Sequence, residues 1–370
     1  MNKKKSLPLL IVMIFHVLIG SCLLLSLLTP YINPTLFPLL PFLGLGFPVL
    51  VAFNFVLTIF WFFKRKNWFW GSLVIVALSL PYQRKIFSFN ILTTDVPKKA
   101  NSNIRLMSYN VRLFDLYNPN FKSAKATRDS IFQYFKIEKP DVLCIQEYYE
   151  QGKPSRFNTI DSINTILQNP EVHKKGIQIP SNRQTFGLAT FSKLPIINRG
   201  HVQHKEAYGN NNNYCIYVDV INSKDTIRIY NVHLQSIKLE TNYNMKSIKD
   251  KGTEKTKSGF KTAYRKLKKA FAIRAKQSEA VSKHIENSPY PSVVCGDFND
   301  TPISYTYHIF ENKLIDAFRN TSTGFGSTYI GLLPAGRIDY IFHSNTLSSS
   351  NFKIQEEELS DHRAISCLIY

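Results

Sequence analysis

The chain is 370 residues long and strongly basic, with 46 Lys or Arg against 26 Asp or Glu. That length holds one large catalytic domain plus an accessory segment, and the positive balance favours polyanions or an anionic membrane surface as partners. The five cysteines do not make a disulfide framework, because Cys22 lies in an apolar segment and Cys144, Cys215, Cys295 and Cys367 sit inside strand-like apolar runs as small core residues. The charge is uneven: residues 1–85 carry eight Lys or Arg and no acid, which leaves 38 positive against 26 negative residues beyond them.

The first 85 residues read as a membrane region. Positions 6–63 form a run of 58 residues without Asp, Glu, Lys or Arg, where a membrane helix needs about 20. A turn over Pro30–Pro34 divides it into spans expected near 7–28 and 36–63. A third uncharged run, 67–83, is 17 residues long and opens with Trp68, Phe69 and Trp70, an interfacial aromatic belt. Positive residues precede the first span (Lys3, Lys4, Lys5) and separate the second from the third (Lys64, Arg65, Lys66), while the first loop has none. The positive-inside rule puts the N-terminus and the Lys64–Lys66 turn in the cytoplasm. Three spans, the expected number, leave everything after Arg84 outside the cytoplasm; two would leave it inside, and Arg84 and Lys85 count for that arrangement. A cleaved signal peptide does not fit, since apolar sequence continues past any cleavage point.

Residues 86–103 read as a linker. A strand follows over 104–111 and delivers Asn110 at its end. Residues 129–139 predict an amphipathic helix with Ile131, Phe132, Phe135 and Ile137 on its apolar side, stopped by Pro140 and Asp141. A buried strand, 142–145, then carries Gln146 and Glu147. Strand, helix, strand in this order means α/β or α+β architecture. Further strands are expected at 186–192, 214–220 and 226–232, the last ending in His233, which by itself reads as a structural histidine. Residues 238–276 hold 13 Lys or Arg against three acids. They read as an exposed basic loop, including 251–257, and then a long amphipathic helix from Ala263 onward. The lysines are a solvated face or a contact for a polyanion or lipid headgroup.

The organising stretch is 292–302, SVVCGDFNDTP. A run of small and β-branched residues ends in Gly296, Asp297, Phe298, Asn299 and Asp300, an abrupt turn rich in side-chain oxygens. Alternation sends Asp297 and Asn299 to one side and Phe298 to the other. Such a stretch is either an Asp/Asn turn leaving a core strand or a rigidly held site. Downstream, 337–342 is a strand that buries Asp339 among apolar residues, costly unless the acid is paired or metal-bound. Ser360, Asp361 and His362 precede the last strand, and a buried Asp beside a His fixes its tautomer and raises its basicity. No G-x-S-x-G elbow, paired-Cys or H-E-x-x-H spacing is present, which disfavours a serine hydrolase or zinc site. Oxygen-rich ligands with isolated histidines suit magnesium, manganese or calcium.

Asn110, Gln146–Glu147, His233-Leu234-Gln235, Gly296–Pro302, Arg337–Phe342 and Ser360–His362 occur in an order that resembles the endonuclease/exonuclease/phosphatase superfamily, which has the deoxyribonuclease-I-like fold. The resemblance covers residues 104–370 and leaves the N-terminal segment outside it. It implies an α+β domain, a four-layer α/β/β/α sandwich of two packed mixed β-sheets flanked by helices. Here that domain follows a helical transmembrane region (1–85) and the linker, as in a bacterial membrane-anchored member, multi-pass in the cytoplasmic membrane with the domain on its outer side.

By resemblance the function is metal-dependent hydrolysis of a phosphate ester by in-line water attack, with magnesium as cofactor (manganese or calcium as alternatives). The residues support that chemistry. Glu147 is the principal metal ligand, with Asn110 beside it and Asp361 completing the shell. Asp297 orients and deprotonates the water, and Asn299 donates to charge developing on phosphorus. His362, held by Asp339, binds a phosphoryl oxygen or acts as acid–base group, and His233 protonates or stabilises the leaving group. The substrate is a nucleic acid or a phospholipid headgroup, the bilayer is contacted through the N-terminal helices, and no obligate protein partner is evident. The chain departs from the family where nuclease members often carry an Arg two residues after the metal-binding Glu: Tyr149 stands there, which removes a contact to nucleic-acid phosphate. The other class is a non-catalytic membrane-bound scaffold retaining the fold, to be told apart by metal-dependent turnover.

Overall fold

The computed structural model describes residues 7–90, 103–155, 157–203, 214–236, 253–331 and 336–370. The N-terminal region is helical: α1 (Leu7–Ser26), α2 (Leu40–Leu45), α3 (Phe47–Lys64) and α4 (Lys66–Ile86). Two of these, α1 and α3, are long and apolar enough to cross a membrane. The expected span 36–63 is divided into α2 and α3, because Pro38 lacks the amide N–H a continuous helix needs and Pro41, like Pro48, fits a helix in its first turn. Pro48 is tolerated, since it stands in the first turn of α3, where an N–H would be unsatisfied anyway. The third uncharged run does form one helix, and it is joined to α3 by hydroxyls: Thr58 Oγ1 and Ser72 Oγ lie 2.7 Å apart, and Thr58 also donates to Asn54 O.

The rest of the chain builds two six-stranded sheets. The first contains β1 (Ile104–Asn110), β2 (Val142–Gln151), β3 (Glu171–Ile179), β4 (Gln184–Ser192), β11 (Ser349–Ile354) and β12 (Ile365–Ile369), in the order β11-β12-β1-β2-β4-β3. The second contains β5 (Ile196–His201), β6 (Cys215–Asn222), β7 (Asp225–His233), β8 (Ser292–Asp297), β9 (Ile315–Asp316) and β10 (Asp339–His343), in the order β5-β6-β7-β8-β10-β9. Each is mixed: β1 with β2 and β7 with β8 run parallel, and the other pairs antiparallel.

Period-two burial explains the layers. Ile104, Leu106, Val142 and Cys144 of the first sheet meet Val218, Ile229, Val293, Cys295 and Ile341 of the second in one apolar core. The alternate residues face outward. Met107, Tyr109, Leu143 and Ile145 pack under the helices α5 (Phe121–Glu138) and α6 (Ile160–Leu167). Tyr230, Val232, Val294, Tyr340 and Phe342 pack under α7 (Thr253–Glu286) and α8 (Tyr305–Glu311). A short α9 (Ala317–Thr321) closes β9. The result is helices, sheet, sheet, helices.

Two helices differ from the sequence reading. Helix α5 starts eight residues earlier than 129, capped by the Asn120 side chain, which accepts from the amides of Lys122 and Ser123. Ile137 is 62% exposed, because two residues beyond Phe135 puts it off the buried stripe of Ile131, Phe132 and Phe135. Helix α7 begins at Thr253 rather than near Ala263, so residues 253–262 of the basic stretch expected as loop are helical; the helix has no Pro and is rich in Lys, Arg and Ala, all strong helix formers. Residues 237–252 lie outside the described ones.

The N-terminal helices and their loops touch the sandwich. The Asn33 side chain donates to Glu279 (2.8 Å), Tyr31 and His308 meet ring to ring at 4.8 Å, and Phe42 stacks on Tyr264 at 5.1 Å. At the far end of α4, Lys85 pairs with Glu311 and its carbonyl accepts from Arg337. Ile303, just past the Asp/Asn turn, is buried with Leu23 and Phe47. Gly44 allows that approach: a side chain there would start 2.7 Å from the Ile303 carbonyl. Residue 86 therefore closes a helix instead of opening a linker, and Ser88 bridges to Gly324; 91–102 of the expected linker lie outside the described residues.

Candidate active site

The same alternation that makes the core assembles the site. On the inner face of β1 the order is Ile104, Leu106, Ser108, Asn110; on β8 it is Val293, Cys295, Asp297; on β10 it is Asp339, Ile341, His343; on β7 it is Ile229, Asn231, His233. Each strand thus fills the gap between the sheets with apolar side chains and delivers a polar one where the gap opens.

Asp297 Oδ2 is the point on which these groups converge. It accepts from Asn110 Nδ2 at 3.0 Å and Asn299 Nδ2 at 3.0 Å, and it lies 3.5 Å from His233 Nε2 and 3.7 Å from His362 Nε2. The other oxygen, Oδ1, accepts from the Asn299 amide at 2.8 Å. Asn299 reaches back because its backbone is left-handed (φ +54), a conformation Asn tolerates better than most residues. Phe298 points the other way and is fully buried beneath Phe310 and Tyr340. Gly296 has φ +144 and its missing side chain would begin 2.0 Å from the Val232 carbonyl, so only glycine lets β7 and β8 come together there.

Asp339 is paired directly with Asp297 across β8 and β10, and both are buried. Two carboxylates in that relation are costly unless a cation lies between them. His362 does so: its Nδ1 is 3.0 and 3.2 Å from the two oxygens of Asp339 while Nε2 faces Asp297. Burial by itself would depress His362, but Asp339, Asp297 and Asp361 outweigh it and raise the imidazole to about 10, so it is an imidazolium at neutral pH. Burial pushes the Asp297 carboxyl up, His362 and His233 pull against that, and Asp339 adds to it; the net direction is upward.

Glu147 stands on β2 where the register with β4 shifts, with φ +49. That bulge turns it out of the core beside His233, with Glu147 Oε1 at 3.9 Å from Nε2. Asp361 sits at the mouth, in contact with Ser360 Oγ (3.2 Å) and 4.0 Å from Arg112 Nε. The eight residues expected from the sequence thus come together at the open end of the gap between the two sheets: six are linked through Asp297 or His362, Glu147 joins through His233, and Asp361 is the least engaged. Beside them opens a cleft of about 360 Å³ lined by Leu113, Glu147, Tyr214, His233, Gln235 and Gln277.

Sequence reasoning missed the supports. Thr328 Oγ1 accepts from the amides of Ile338 and Asp339 (3.1 Å each), Ser360 Oγ donates to the Asn110 carbonyl (2.9 Å), and Tyr329 lies edge-on to His362 at 5.2 Å. Gln146 donates to Ser108 Oγ and Asn231 Oδ1, and Asn231 donates to the Ile145 and Ala189 carbonyls, a buried network joining the sheets. Gln146 and Ser360 lie inside the motifs read from the sequence, without a role assigned there; Thr328, Tyr329 and Asn231 sit in no spacing that marks them. Tyr149, in place of the Arg, is turned into the core against Phe157 and Phe186 and accepts from Gln184.

The donor set suits a hard divalent ion. Asp297, Asp339 and His362 bring one ligand atom each within 4.8 Å of one another. Yet Nδ1 of His362 is committed to Asp339, and Asp297 Oδ2 is surrounded by donors. The carboxylates with open coordination are Glu147 and Asp361, whose side chains are 33% and 34% exposed at the mouth.

A family model described as the Endonuclease/Exonuclease/phosphatase family matches residues 107–362, and one described as a domain of unknown function (DUF8431) matches residues 9–86. No curated protein matches the chain. Among solved structures the chain is similar to an endonuclease/exonuclease/phosphatase from Bacteroides vulgatus, at 16% identity and TM-score 0.51, over 72% of this chain and 98% of that one. It is also similar to SmcL, at 17% identity and TM-score 0.50, over 72% of this chain and 99% of that one. At such identities these likenesses speak to the fold.

Proposed function

The chain belongs to the endonuclease/exonuclease/phosphatase family, and we propose that it is a membrane-anchored bacterial hydrolase of phosphate diesters that depends on a divalent metal. The observation that carries this is the convergence of Asn110, Asn299, His233 and His362 on the single buried oxygen Asp297 Oδ2. A scaffold has no use for a buried carboxylate held that way, whereas general-base catalysis does.

Glu147, Asn110 and Asp361 would hold magnesium, or manganese or calcium in its place; when bound, the ion neutralises phosphate oxygens. Asp297 takes the proton of the attacking water. Asn299, fixed to Asp297, donates its amide to the charge that develops on the phosphoryl group. The His362 imidazolium, held by Asp339, donates to a phosphoryl oxygen, and His233 delivers a proton to the departing oxygen.

We infer three crossings, with the domain (104–370) outside the cytoplasm, a reading that the contacts of the N-terminal region (1–85) support. The loop after α1 and the C-terminal end of α4 both rest on the sandwich, which supports their lying on one face of the membrane. Lys64–Lys66 lies at the other ends of α3 and α4. Helix α4 has 21 residues, about 31 Å at 1.5 Å per residue, enough to cross. The positive-inside rule then puts Lys64–Lys66 in the cytoplasm. A phospholipid headgroup ester is the substrate this supports: the domain is tethered at the bilayer, and Tyr149 replaces a nucleic-acid phosphate contact.

The test is hydrolysis by the full chain in detergent with magnesium, manganese, calcium or EDTA. Substrates are sphingomyelin, phosphatidylinositol phosphates, plasmid DNA, RNA and bis-(4-nitrophenyl) phosphate. Turnover of lipids, lost in EDTA, is expected; no metal-dependent turnover of any would overturn the reading.

A further inference from the structure

The membrane region contains a cleft that the hydrolytic reading does not use. It lies between α1 and α4, has a volume of about 300 Å³, and is lined among others by His16, Gly20, Ser21, Asn67, Gly71 and Ile75. His16 is 3% exposed, and neither ring nitrogen has a hydrogen-bond partner among the described residues. Its ring is stacked on Trp61 (6.0 Å) and tilted against Trp68 (5.5 Å), so it is held in place without being satisfied. Asn54 Oδ1, also without a partner among them, lies 3.7 Å from where a Gly20 side chain would start. Polar groups left open in a membrane interior mark a site that something else completes.

The cleft has a direction. Gly20 faces Ile75 and His16 faces Trp68, so α1 and α4 run parallel and the cleft extends along both. At one end Asn67 adjoins Lys64, Arg65 and Lys66, all exposed. Along its floor a side chain added at Gly71 would meet nothing within 4 Å. An occupant must therefore carry an apolar chain, an oxygen able to meet an imidazole, and negative charge at one end.

We propose that this cleft binds one anionic glycerophospholipid of the surrounding bilayer, with its phosphate at Lys64–Lys66, an ester oxygen at His16, and an acyl chain over Gly20 and Gly71. This rests on the membrane-spanning reading. Its role is to seat α1 against α4, and through them the loop that holds the sandwich, without taking part in hydrolysis.

The full chain is reconstituted in nanodiscs of phosphatidylcholine containing photoactivatable phosphatidylglycerol, with the label in the acyl chain, and labelled peptides are mapped by mass spectrometry. Saturable labelling confined to 16–24 and 67–75 is expected, competed by unlabelled phosphatidylglycerol and not by phosphatidylcholine. Gly71→Leu, which fills the cleft, is expected to reduce it to the level of lipid-facing α3 peptides. Replacing Lys64, Arg65 and Lys66 by Gln weakens competition by about five-fold per charge. Labelling that does not saturate, or is unchanged in Gly71→Leu, means annular lipid only and overturns the proposal, as does equal competition by phosphatidylcholine. Release of the native chain from membranes by alkaline carbonate would overturn the membrane-spanning reading instead.

Discussion

Asp297 and Asp339 face one another as direct cross-strand partners on β8 and β10, and His362 bridges them, its Nδ1 3.0 Å from Asp339 and its Nε2 3.7 Å from Asp297. The array runs carboxylate, imidazolium, carboxylate, and Asp297 alone carries it to the two asparagines and His233.

Asp339→Asn keeps the shape but withdraws the charge that holds His362 protonated. Hydrolysis is expected to fall by about 10²-fold or more, within the range for an acid–base group, with the activity of bis-(4-nitrophenyl) phosphate hydrolysis at pH 9 lost more than at pH 6. Equal loss at both pH values would contradict a role for the imidazolium.

Thr328→Val removes the acceptor shared by the amides of Ile338 and Asp339 at nearly constant volume. A loss of about 1–3 kcal/mol in stability is expected from two buried amides left unpaired. Denaturant unfolding measures it, and Thr328→Ser should restore most of it.

Arg337 is buried with Asp316 at 2.6 Å, stacks on Phe318 and Tyr340, and donates to the Lys85 carbonyl at the end of α4. Arg337→Met leaves the Asp316 charge unpaired and is expected to cost about 3–5 kcal/mol, read as a drop in Tm of the full chain in detergent. Because the same residue ties α4 to the sandwich, proteolysis near residues 86–90 should accelerate with it.

His343 is buried between the sheets, with Nδ1 donating to the Ser344 carbonyl at 2.9 Å and Nε2 accepting from Ser349 Oγ at 3.0 Å. Burial pushes it below its ordinary 6.5. The unfolded chain therefore binds this proton more readily than the folded one. Its contribution is fully present above about 6.5 and is lost as pH falls below that, down to the folded value. In His343→Gln, the fall in Tm between pH 7.5 and 5.5 should be smaller than in the native chain; an equal or larger fall would contradict it.

Much of this was legible in the sequence because strand alternation is local. Asp297, Asn299 and Phe298 could be assigned to opposite sides from their order alone, and the structure places them so. The convergence on one oxygen could not, because Asn110 and Asp297 are 187 residues apart. Thr328 was invisible for a similar reason: a threonine in a loop without alternation has no period, and its value comes from the amides of Ile338 and Asp339, from which it accepts. The bounds of α5 and α7 were misjudged because basic, weakly apolar turns lengthen a helix whose buried stripe begins later.

The account rests on Asp297 as the base, and one measurement tests it most directly. Full-length native chain and Asp297→Asn are compared in detergent, with magnesium and with EDTA, for phosphodiester hydrolysis and for Tm. The account predicts that the variant binds magnesium, shown by a Tm shift lost in EDTA, while its turnover falls by about 10²–10⁴-fold. A variant that retains magnesium-dependent turnover within a few-fold of the native chain would contradict it.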